Sequence, residues 1–155
     1  MELADENLAQ ILPERALTAS EVSELLPPLL AALSHLHSAG FVHGRVRPAN
    51  VMAIKDQVKL SADQLTPMKG DRSAKTRRDV YDAPEVAAGI ISPEADAWSV
   101  GATVVAALTQ NVSFAEDASQ GDAGLPRSMP EPFRTIASEC LRLDPQRRSS
   151  IADIR

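Results

Sequence analysis

The segment His43-Gly44-Arg45-Val46-Arg47-Pro48-Ala49-Asn50 sets a histidine, two arginines and an asparagine within eight residues. Proton abstraction needs a group that can give up and take back a proton near neutral pH. Arg45 and Arg47 cannot do this, because a guanidinium stays charged throughout the accessible range. His43 has the right chemistry, but a lone histidine beside an apolar Val42 reads as a packed, hydrogen-bonded residue. Asn50 follows Pro48 and precedes an apolar run, where Asn commonly bonds turn backbone. His35 and His37 are two apart on a helical pattern and cannot share a metal as an i, i+4 pair would. No metal site follows from these residues.

The elements that must position this segment are mostly helical. Asp5 to Leu12 reads as a short helix ended by Pro13. Thr18-Ala19-Ser20-Glu21 is a capping signal. Val22, Leu25, Leu26, Leu29, Leu30, Leu33 and Leu36 then mark one face of a long amphipathic helix ending at Gly40. Pro27 and Pro28 predict a kink or a break within it. Phe41-Val42, Val51 to Ile54 and Gln57 to Leu60 read as short strands, with Lys55-Asp56 as the turn between the last two. Ser61 to Tyr81 has no periodicity and reads as an exposed loop. Its Lys69, Arg72, Lys75, Arg77 and Arg78 form a basic run that reads as a solvated loop or a docking surface. Thr66, Ser73 and Thr76 are possible phosphoacceptors. Ser92-Pro93 starts a helix that runs to about Thr109 and is apolar on nearly all sides, so it should be central. Asn111 to Met129 reads as irregular. Pro130 to Leu143 is amphipathic, and Ser150 to Arg155 looks like the start of a helix.

Composition bounds the rest. The 155 residues are 44% apolar and 24% charged, enough for one domain with its own core. Aromatics make up only 3%, so that core must be aliphatic. The net charge of −5 argues against nucleic acid as a partner. Cys140 stands alone, which excludes an intramolecular disulfide, and its apolar neighbours suggest that it only packs. No apolar run is long enough to span a bilayer, and the acidic start Met1-Glu2-Leu3-Ala4-Asp5-Glu6 is no signal peptide. The expected location is cytoplasmic, without membrane contact from this segment.

Several runs together resemble the eukaryotic-type protein kinases. His43 to Asn50 resembles the catalytic loop His-Arg-Asp-Leu-x-x-x-Asn, and Tyr81-Asp82-Ala83-Pro84-Glu85 resembles the Ala-Pro-Glu signature. Asp96-Ala97-Trp98-Ser99-Val100-Gly101 is similar to the Asp-x-Trp-Ser-x-Gly run. Cys140-Leu141 through Asp144-Pro145-Gln146-Arg147-Arg148 is similar to the late Cys-Leu…Asp-Pro-x-x-Arg motif. Met1-Glu2 looks like the hinge between lobes. The resemblance implies a mainly α fold with a few short β-strands, the C-terminal lobe of a kinase, over residues 1–155. The N-lobe is expected to be absent from this segment and the final helix cut short. It also implies structural roles: Glu85 and Arg148 as a buried ion pair, Asp96 as acceptor for the catalytic loop's backbone, and Trp98 beside them.

The resemblance is to a kinase without its chemical centre. Arg45 stands where the catalytic Asp accepts the substrate hydroxyl's proton. Gly44 replaces the Arg that receives an activation-loop phosphate. Arg47 aligns with the Lys that steadies the γ-phosphate. Asn50 matches the Asn that binds the second magnesium. Ala62-Asp63-Gln64 aligns with Asp-Phe-Gly, so the principal magnesium ligand is Ala62, which has no oxygen to offer. Asp63 would serve only if the backbone shifted by one residue. Met52 matches the floor of the adenine pocket. The expectation is therefore a pseudokinase in signalling: no catalytic residue, no cofactor, and a protein partner bound as scaffold or regulator. The alternative left open is a Ser/Thr kinase segment that binds ATP and Mg²⁺ through Asn50 and Asp63, with an N-lobe supplied elsewhere. A homodimer on the exposed hinge side is a further possibility.

Overall fold

The computed structural model describes residues 6–54, 57–61, 66–67, 81–90, 92–110, 125–126 and 128–154. The expectations placed on Met1-Glu2, Ala62 to Gln64 and the basic run between Lys69 and Arg78 lie outside these residues.

The first described element is a strand, where a helix was expected. Glu6–Asn7 (β1) pairs antiparallel with Val51–Ile54 (β3), and only Leu8–Ile11 (α1) is helical. The sequence held the signal for this boundary. Asn7 accepts from the Gln10 amide, and the Gln10 side chain accepts from the Asn7 amide, so the two close a capping box.

Ala19–Ser38 (α2) starts from a second such box. The Thr18 hydroxyl accepts from the Glu21 amide at 3.2 Å, and the Glu21 carboxylate accepts from the Thr18 amide at 2.7 Å. Arg15 also grips that carboxylate through both guanidinium nitrogens, at 2.8 and 2.9 Å. The Arg15 hydrogen bonds, with the Thr18 amide second, hold the Glu21 carboxyl down to about 2. The depressed value means that whatever stability this cap adds is present above the ordinary carboxylate range and is lost as pH falls towards 2.

Pro27 and Pro28 do not break α2, which runs continuously through both. Their missing amide hydrogens orphan the carbonyls of Ser23 and Glu24. Both residues are exposed, so water can bond those carbonyls. Leu25, Leu26, Leu29 and Leu33 are buried on the opposite side. Their packing outweighs a local helix penalty of about 3 kcal/mol per proline.

Phe41–Val42 (β2) follows Gly40. β3 pairs antiparallel with Gln57–Leu60 (β4), which gives the sheet order β1-β3-β4. The stretch expected to be loop contains one more strand, Thr66–Pro67 (β5), paired with β2. A two-residue strand is too short to leave a periodic signal.

Pro93–Thr109 (α3) is the centre of the molecule. Every residue from Ala95 to Ala107 is buried. Phe133–Cys140 (α4) packs across it and is shorter than the expected Pro130–Leu143, starting just after Pro132. The expected final helix is a single 3-10 turn, Ile151–Asp153, capped by Ser150. The α3–α4 crossing is close because residue 101 is glycine. A β-carbon there would stand 2.5 Å from Cys140 Cβ and 3.3 Å from Leu141 Cγ. Cys140 itself is fully buried, and burial pushes its thiol up to about 12, so it packs as a small apolar side chain. Among the described residues no helix is long and apolar enough to cross a membrane. Gly101→Ala is expected to force the two helices apart and lower stability by about 1–3 kcal/mol in urea unfolding. An unchanged midpoint would contradict the close-packing argument.

Candidate functional site

The site grows from the N-terminal turn of α3. The Ser92 hydroxyl caps the helix and Pro93 takes its first position, which places Asp96 one turn in with its side chain completely buried. A buried carboxylate must be satisfied by donors, and Asp96 has three. One oxygen accepts from the Gly44 amide at 2.8 Å. The other accepts from the His43 amide at 2.9 Å and from His37 Nε2 at 2.8 Å. The loop after β2 is thus tied to α3 and to the last turn of α2 through one side chain. Gly44 makes the bend that presents both amides, with φ at 74°, a region other residues enter at a cost.

His43 is spent in holding the loop. Its Nε2 donates to the Ser61 carbonyl, and its Nδ1 accepts from the Arg45 amide at 3.1 Å. That pair of bonds fits one neutral tautomer and leaves neither nitrogen for substrate. The Asn50 side-chain amide donates to the Arg45 carbonyl at 2.7 Å, and the Asn50 carbonyl accepts from the Ser61 amide at 2.8 Å. The backbone of Arg45 is therefore held at both its amide and its carbonyl, while its side chain is exposed. Val46 is fully buried, and Arg47 reaches back towards the Ala-Pro-Glu run, its Nη2 3.5 Å from the buried Asp82 carboxylate.

A second anchor holds the far end of that run. The Arg148 side chain is completely buried and its guanidinium makes full use of its donors. Nη1 donates to Glu85 at 2.7 Å and to the Glu94 carbonyl at 2.8 Å. Nη2 reaches the second Glu85 oxygen at 3.3 Å and the Arg142 carbonyl at 2.8 Å, to which Nε also donates. The guanidinium carbon lies 5.3 Å from the centroid of the buried Trp98 ring. Ser99 Oγ donates to the Tyr81 carbonyl at 2.6 Å, so α3 grips both ends of the run.

The site residues singled out in the sequence fall into three places. His43, Arg45, Arg47 and Asn50 share the loop that Asp96 organises. Glu85, Trp98 and Arg148 share the second anchor. Met52 is half-buried on β3, in register with Asn7 and Lys59, and borders a cavity of about 170 Å³ with Leu8, Leu25, Val51 and Val58. Asp63 lies outside the described residues. Reasoning from sequence missed His37 and Asp82. An acid inside a basic stretch was the available hint for Asp82, and nothing in the local pattern singled out His37.

Few groups here could hold a cation. Asn50 brings one amide oxygen, with an arginine guanidinium as its near neighbour in the chain. Among the described residues, no three of His, Cys, Asp and Glu converge.

A family model described as "Protein kinase domain" matches residues 1–155. The chain is 34% identical over 119 residues to the stress-activated protein kinase JNK of Drosophila melanogaster, covering 74% of this chain and 32% of that protein. It is 27% identical over 161 aligned positions to the serine/threonine-protein kinase STK11 of Gallus gallus, covering 92% and 37%. A third relative is the membrane-associated tyrosine- and threonine-specific cdc2-inhibitory kinase wee-1.3 of Caenorhabditis elegans, 32% identical over 114 residues, covering 70% and 17%. The chain thus spans well under half the length of each of these relatives.

Replacing Glu85 by Ala strands a buried guanidinium and is expected to cost about 3–5 kcal/mol. The double replacement Glu85→Leu with Arg148→Met should cost less than Glu85→Ala alone. Denaturant unfolding of the three variants checks both statements, and a loss below about 1 kcal/mol for Glu85→Ala would contradict the first.

Proposed function

The chain belongs to the protein kinase domain family, and on that premise we propose that it is a pseudokinase module, the C-terminal lobe of a kinase fold that acts by binding another protein. The observation that carries the proposal is Arg45. It takes the place of the catalytic Asp in a loop whose backbone is otherwise fixed by Asp96, His43 and Asn50. A base at that position would have to accept the proton of the attacking hydroxyl. The guanidinium cannot, and His43 has both nitrogens committed.

Magnesium does not fit this loop. The ion needs near-octahedral oxygen ligands, normally including carboxylates. Asn50 supplies a single amide oxygen, Ala62 supplies none, and Arg45 adds a positive charge. Arg47, aligned with the phosphate-steadying Lys, has the Asp82 carboxylate beside it.

The binding half of the proposal is supported by an apolar groove of about 570 Å³ between α2, α4 and the final turn. Leu26, Leu30, Phe133, Ile136, Ile151 and Ile154 line it. Apolar surface of this kind is commonly covered by a partner.

Radiolabelled ATP transfer, measured on the native protein that carries this chain, is expected to show no turnover attributable to it. Arg45→Asp is expected not to restore turnover, since Ala62 still leaves the metal unbound. Turnover that is abolished by Asp63→Ala would overturn the proposal in favour of an active Ser/Thr kinase segment.

A further inference from the structure

We draw no further inference here: the strongest candidate, the apolar groove between α2, α4 and the final turn, carries nothing beyond the binding proposal it already supports, because nothing in the structure shows what covers it.

Discussion

The buried carboxylate of Asp96 is the constraint on which the site depends. It has no water to solvate it, so the amides of His43 and Gly44 and the ring of His37 must do so. Each such bond to a charged group is worth about 1.5–3 kcal/mol, and their loss would leave the charge unsatisfied in the core. The loop cannot move away without that penalty. The rest of the loop inherits its place from this arrangement: the His43 ring against Ser61, the clamped backbone of Arg45, and the reach of Arg47 to Asp82.

The same central helix holds the Ala-Pro-Glu run by different means. Ser99 bonds the Tyr81 carbonyl, and the Glu85–Arg148 pair closes the other end against Trp98. Neither anchor uses a group needed for phosphoryl transfer. The hydrogen bonds that hold the loop reach Arg45 only through its backbone amide and carbonyl, so its shape does not depend on the side chain at that position.

Much of this was legible in the sequence because the signals were local. Ser92-Pro93 marked the start of α3, its all-round apolarity marked it as central, and Gly40 marked the end of α2. The strands at Val51–Ile54 and Gln57–Leu60 appear where they were expected. The errors came where tertiary contacts overrule local rules. A break was one of two outcomes expected at Pro27 and Pro28, and it does not occur: they sit on a solvated face of α2 while four leucines anchor the other, so the helix continues. Glu6–Asn7 became a strand because β3 offered it an edge, and the Asn7–Gln10 capping box should have placed the helix start at Leu8 rather than Asp5. The link from His37 to Asp96 spans 59 residues, and no local spacing rule reaches that far. Asp82 reads as one more loop acid until its burial against Arg47 is seen.

The most direct measurement of the central claim, a kept scaffold without a metal–nucleotide centre, is calorimetric titration of ATP into the native protein with and without Mg²⁺. The account predicts no Mg²⁺-dependent binding at this site, because Asn50 alone cannot replace the missing carboxylate ligands. Saturable binding that requires Mg²⁺ and is lost in Asn50→Ala or Asp63→Ala would contradict it.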